Sequence, residues 1–232
     1  MKRFYEDVSI GEAEGGWQVL LDQRGLKTVT GQEQIVPSKA LAKALAREWA
    51  DQGEEIDTTR FQMRDTADYA ISHVAAQREE TVSKLLAYGE TDTLCYRADP
   101  EEALFNKQLQ VWEPIVEGFE AREGVKLARA FGVMHKAQDE ASLATLRSKL
   151  EGLDPFTLAG LELLASLAAS LIIALEVLEP GSDPEQLWRA ASLEEEWQAD
   201  LWGRDSQAEE RRAKRRSDFL GAAEWLALLA RG

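Results

Sequence analysis

The sequence predicts an α+β protein, with a small N-terminal antiparallel β domain followed by a larger α-helical domain. Three observations lead there. A strand–turn–strand pattern occupies the first thirty or so positions. From Ser38 onward, apolar residues recur every three or four positions. Gly89, Gly124, Gly152 and Gly181 then punctuate the helical stretches.

Taken in order, Gly16-Trp17-Gln18-Val19-Leu20-Leu21, Asp22-Gln23-Arg24-Gly25 and Leu26-Lys27-Thr28-Val29 read as strand, turn and strand. Gln34-Ile35-Val36-Pro37 adds a short strand that the proline ends. A lone hairpin is marginal in water, so this sheet must pack on something. Ser38 is a suitable N-cap for a helix carrying Leu41, Leu45, Ala46 and Trp49 on one face and ending at Gln52-Gly53. These elements make residues 1–60 a β-rich domain with the first helix, and residues 61–232 a helical domain. Helices are expected over 65–76, 79–88, 100–123, 140–150, 156–178, 184–202 and 206–230. Asp99-Pro100 and Asp183-Pro184 each pair a capping aspartate with proline at the first helical position.

Composition narrows the function classes. The formal net charge is −15, from 27 Lys+Arg against 42 Asp+Glu, and such a surface repels phosphate backbones. Nucleic-acid binding is therefore disfavoured. A single cysteine, Cys95, allows no internal disulfide, which fits a reducing compartment. The first residues, Met1-Lys2-Arg3-Phe4-Tyr5-Glu6-Asp7, lack the apolar stretch of a signal peptide. The expectation is a soluble intracellular protein, bacterial and cytoplasmic rather than a processed form from the mitochondrial matrix. Phe156 to Leu178 approaches the length of a membrane span, but Glu162 and Glu176 interrupt it and no basic cluster flanks it. It is expected as one buried core helix, with no stable membrane insertion.

Common catalytic signatures are missing. There is no Gly-x-x-x-x-Gly-Lys-Ser/Thr loop, no His-Glu-x-x-His, no Cys-x-x-Cys pair and no Gly-x-Ser-x-Gly elbow. His73 and His135 lie far apart in sequence, so a metal site is weakly supported and none is assigned. Two runs remain dense in reactive side chains. Tyr88-Gly89-Glu90-Thr91-Asp92-Thr93-Leu94-Cys95-Tyr96-Arg97 supports a small hydrolase built on Glu90, Asp92 and Cys95, with His73 as a base. The competing reading is a polar, aromatic connection between helices, with Leu94 and Cys95 packed inward.

In the second run, Leu193 to Asp205, Glu194, Gln198 and Trp202 recur at intervals of four and share a helix face, with Glu195 close to it. Tryptophan supplies contact area and carboxylate supplies direction, which suits recognition of a partner. Acid–base chemistry and a solvated helix anchored by Trp197 or Trp202 are the alternatives. Arg211-Arg212-Ala213-Lys214-Arg215-Arg216 can contact anionic lipid or nucleic acid, but is read as a solvated face opposite Glu209 and Glu210.

At these two runs the sequence resembles the chaperones that assemble the F1-ATPase α subunit, of the mitochondrial F1 assembly factor 2 type, found also in alphaproteobacteria. The resemblance rests on Ala87 to Arg97, Leu193 to Gln198 and Trp202-Gly203. It extends to Arg3-Phe4-Tyr5, Val19 to Asp22, Val36-Pro37-Ser38, Leu41-Ala42, Glu48-Trp49 and Gln52 to Asp57. It implies the same order of a β domain then a helical domain. It also implies a non-catalytic monomer that needs no cofactor and holds unassembled α subunit until the β subunit replaces it. The family's acidic patch maps onto Glu194, Glu195 and Glu196. With the adjoining Gln198, Trp202 and Asp205, and with Glu90 and Asp92, these are the expected partner-binding residues. Gln207 stands where relatives often carry a glutamate, so the patch ends differently here.

Overall fold

Asp22 and Gln23 turn the chain with φ of 46° and 68°. A two-residue turn in this conformation matches the twist of the strands it joins. The turn therefore closes earlier than the sequence suggested. Strands β1 (Val8–Ala13) and β2 (Gly16–Leu21) pair antiparallel from Val8↔Leu21 to Ala13↔Gly16. Strand β3 is Arg24–Gly25, opposite Leu20 and Leu21, not Leu26–Val29. Beyond it the chain loops out, leaving Val29 84% exposed, and returns as β4 (Ile35–Val36) against Trp17 and Gln18. Strand β1 lay outside the sequence reading, whose hairpin signal began at Gly16.

The structure is a computed structural model that describes residues 1–132 and 136–231. His135 lies outside the described residues. Two compact units are present: Met1–Arg78 with Asp154–Gly160 and Glu224–Gly232, and Glu79–Leu153 with Leu161–Ala223.

In the first unit the sheet buries Val19, Leu21 and Val36, and helix α1 (Lys39–Ala50) buries Leu41, Ala42, Leu45 and Trp49. Ser38 caps α1 as expected, accepting from the N–H groups of Ala40 and Leu41, while its hydroxyl donates to Leu228 O at 2.6 Å. Helix α2 (Gln62–Tyr69) has no cap from its own preceding residue. The Glu48 carboxylate supplies one, accepting from Met63 N at 2.6 Å and Arg64 N at 2.9 Å. A π-helical turn, Ala70–Val74, continues α2 and carries His73 stacked on Tyr69. Gly160 allows close approach here: a Cβ would lie 2.7 Å from Trp225 Cδ1 and from Leu226 Cδ2.

The helical body follows as α3 (Arg78–Glu90), α4 (Ala103–Glu123) and α5 (Glu140–Glu151), then α6 (Pro155–Ala168) and α7 (Leu171–Glu176). It ends with α8 (Pro184–Ala191), α9 (Leu193–Trp202) and α10 (Ser206–Leu229). Within the second unit, Trp112, Val116, Phe119, Leu150, Leu164, Leu171, Ile173 and Phe219 are fully buried. A short parallel pair, β5 (Tyr96–Arg97) and β6 (Ala130–Phe131), adds strand that helical periodicity did not foresee.

Three helix expectations need correction. Asp99-Pro100 does not open α4; Glu102 stands at its N-cap, after a turn closed by Glu102 N donating to Asp99 O. The apolar run from Phe156 to Leu178 is two helices, because Ala169 takes φ 49° and Ser170 starts α7 as an N-cap accepting from Ile173 N. The run from Pro184 to Trp202 breaks at Ser192, whose hydroxyl donates to Trp188 O. Asp183 caps α8 as expected, with Pro184 at its first position. Among the described residues no helix is long and apolar enough to cross a membrane.

Candidate functional site

The first dense run turns its chemistry inward. Tyr88, Gly89 and Glu90 complete α3; Thr93–Cys95 form a single 3₁₀ turn, and Tyr96-Arg97 form β5. Asp92, expected to face a partner, is instead wholly buried. Its carboxylate accepts from Leu94 N, from Ser170 Oγ and from Ile172 N, so it caps the 3₁₀ turn and the broken start of α7 together. Burial pushes this carboxyl up to about 6, against the pull of its hydrogen-bond donors. Cys95 is fully buried, and burial pushes its thiol up to about 12, with the Asp92 charge adding to the shift. At neutral pH it holds its proton, and only the thiolate is a competent nucleophile. Glu90 is exposed. Arg97, 2% exposed, donates through Nε to Leu94 O and pairs with Glu113 at 2.8 Å. The hydrolase reading thus loses its nucleophile and one of its carboxylates, and the run is a buried connector.

The second run diverges. Successive helical positions are turned by about 100°, so three consecutive glutamates cannot share one face. Glu194 points toward α4, where the buried Gln108 donates Nε2–H to its carboxylate at 2.6 Å. Burial raises the Glu194 carboxyl, partly offset by that bond. Glu195 points toward α10, pairing with Arg215 at 2.5 Å and Arg212 at 3.8 Å. Glu196 pairs with Arg204 at 3.0 Å and Arg212 at 3.4 Å.

Two grooves flank α9. One, about 470 Å³, gathers Glu195, Gln198, Trp202 and Asp205 from the expected set, facing Arg211, Arg212 and Arg215. The other, about 660 Å³, takes Glu196 together with Trp188, Leu193, Trp197 and Asp200. Glu90, Asp92 and Glu194 line neither. Asp205 also accepts from Ala208 N, capping the first turn of α10.

At the end of α9, Leu201 is 63% and Trp202 86% exposed. An indole this open, rimmed by charge, is the composition of an interaction hot spot. The basic run is not a solvated face throughout. Arg212 keeps only 14% of its side chain exposed and pairs with Glu195, Glu196 and Glu209. Arg204, Arg212, Arg215 and Leu201 were absent from the sequence-based set. One signal pointed to them: only Gly203, Arg204 and Asp205 separate α9 from α10, and so short a link makes two helices antiparallel neighbours. Among the described residues no group of three or more His, Cys, Asp or Glu side chains is placed to hold a metal.

Known proteins share this architecture. A crystal structure of Atp12 from Paracoccus denitrificans superposes with a TM-score of 0.93 at 37% identity, covering 98% of each chain. A protein of Agrobacterium tumefaciens does so at 0.93 and 34% identity, over 98% of this chain and 86% of that one. The mitochondrial protein atp12 of Schizosaccharomyces pombe is 26% identical over 216 residues, covering 87% of this chain and 74% of that protein. The family model for the ATP12 chaperone protein matches residues 2–120. With that match covering half of the sequence, and with relatives of like fold along nearly all of it, this chain belongs to the ATP12 chaperone family.

Proposed function

We propose that this protein binds the unassembled F1-ATPase α subunit and prevents its aggregation during F1 assembly, without catalysis. The observation that carries the reading is the end of α9. There, Leu201 and Trp202 are exposed, and Trp202 lines a groove with Glu195, Gln198 and Asp205, in a chain of the chaperone family. A subunit awaiting its neighbours exposes apolar surface that aggregates in solution. The indole and leucine offer that surface an apolar contact, and the carboxylates orient it and speed encounter. Binding needs no nucleotide, metal or other cofactor, and release follows when the β subunit competes for the same face. The protein acts as a monomer where F1 is built, in the bacterial cytoplasm or the mitochondrial matrix.

The reading is tested by co-expressing the chain with α subunit and recovering a complex. The expected result is soluble α subunit that co-purifies with this chain and not with a variant carrying Trp202→Ala and Glu195→Lys. Equal recovery with the variant would move the site elsewhere. Indiscriminate binding to any unfolded protein would overturn the specificity for α subunit.

A further inference from the structure

Two of the carboxylates assigned above to the partner, Glu195 and Glu196, are already paired with arginine, as is the neighbouring Asp200. Glu195 is held by Arg212 and Arg215, Glu196 by Arg204 and Arg212, and Asp200 by Arg204 at 2.9 Å. Each of these arginines has a second anchor that does not involve α9. Arg212 also pairs with Glu209 at 2.5 Å, Arg204 with Glu209 at 3.3 Å, and Arg215 donates Nη2–H to Leu167 O at 2.9 Å while lying over the Trp188 ring. Letting go of α9 therefore strands no arginine without a partner. The Glu195 carboxylate, by contrast, would be released into the groove that Gln198 and Trp202 border, and Glu196 into the groove on the other flank of α9.

We propose that Arg212 and Arg215 are internal stand-ins for cationic side chains of the partner, which displace them from Glu195 and Glu196 on binding. This rests on the assignment of α9 as the partner surface. The occupant it implies is a segment bearing arginine or lysine beside an apolar residue, the cation exchanging onto Glu195 and the apolar group covering Leu201 and Trp202. For the exposed pair Arg215–Glu195, exchange of one ion pair for another is nearly neutral in energy. The latch thus admits a partner that brings both features and holds the carboxylates against one that brings neither.

Two measurements test it. Hydrogen exchange on the chain alone compares wild type with Arg212→Gln/Arg215→Gln, and faster exchange of α9 amides in the variant is expected. Binding to immobilised α subunit is then measured for Arg215→Gln and for Arg211→Gln. The second removes the same charge from the same groove, at a residue that shows no ion pair to α9. Arg215→Gln should tighten binding roughly two- to fivefold, Arg211→Gln by less, and the gain should vanish in a Glu195→Gln background. Equal gains from both variants would mean net charge alone is at work, and a loss of affinity would mean the arginines themselves touch the partner. Either result overturns the latch, as does unchanged exchange of α9. A wild-type chain that fails to bind α subunit overturns the functional reading instead, and the exchange measurement still decides whether α10 restrains α9.

Discussion

The Asp92 carboxylate accepts the backbone N–H of Ile172 at 2.9 Å, across 80 residues of sequence. That bond explains why the most apolar run of the chain is not one helix. Ser170 and Ile172 present the open first turn of α7, and Asp92 fills it from the connector after α3. Asp92→Ala leaves Leu94 N–H, Ser170 Oγ and Ile172 N–H without this acceptor, and should cost about 2–4 kcal/mol. Urea denaturation measures it.

The same residue sets a pH dependence. Its carboxyl ordinarily titrates at 3.8 and here titrates at about 6, so the folded chain keeps a proton that the unfolded chain has lost. The stability this contributes is full below 3.8, falls across the interval, and is gone above about 6. The slope is about 1.4 kcal/mol per pH unit. The stability difference between wild type and Asp92→Asn should therefore favour wild type by about 1.4 kcal/mol more at pH 5 than at pH 7. Identical differences at the two pH values would contradict a buried, proton-holding Asp92.

If Trp202 is part of the proposed partner surface, its removal should separate binding from folding. With 86% of its surface exposed, its removal should change stability by less than about 0.5 kcal/mol. As a hot-spot indole it should cost about 2 kcal/mol in affinity for α subunit, roughly thirtyfold. Thermal melts and binding isotherms of Trp202→Ala check the two halves independently.

Charge reversal tests the rim. Glu195→Lys with Glu196→Lys sets two cations beside Arg204, Arg212 and Arg215. The helical circular dichroism should persist with a Tm lowered by a few degrees, roughly 1 kcal/mol. Affinity for α subunit should drop more than about tenfold. Unchanged affinity with intact helix would remove these glutamates from the site.

Much of the fold was legible from local chemistry. Ser38 and Asp183 cap the helices their side chains suggested, and the change from strand to helical period at Pro37-Ser38 is where the sheet ends. What local chemistry could not show is a hydrogen bond arriving from far along the chain. Ala169 and Ser170 look like ordinary helix interior until Asp92 is known to lie against them. Asp92 itself looked exposed because aspartates are seldom buried. The three glutamates of α9 read as one patch because the family resemblance implies one, while helical spacing turns consecutive positions apart. The structure sends them to Gln108, to Arg215 and to Arg204. The basic run looked solvated because the α9 partners of Arg212 and Arg215, Glu195 and Glu196, lie on the preceding helix, beyond a turn whose shortness was the available clue.

Gly160 offers a test of packing alone. A Cβ there meets the Trp225 ring edge and Leu226 at 2.7 Å, so even one added carbon displaces side chains. Gly160→Val should cost about 1–3 kcal/mol through displaced side chains, read as a fall in Tm.

Light scattering of F1-ATPase α subunit diluted from denaturant, with and without equimolar chain, measures protection from aggregation directly. Suppressed scattering and a soluble one-to-one complex are expected, with loss of both for Trp202→Ala/Glu195→Lys. Scattering that is unaffected by the wild-type chain would contradict the proposed role.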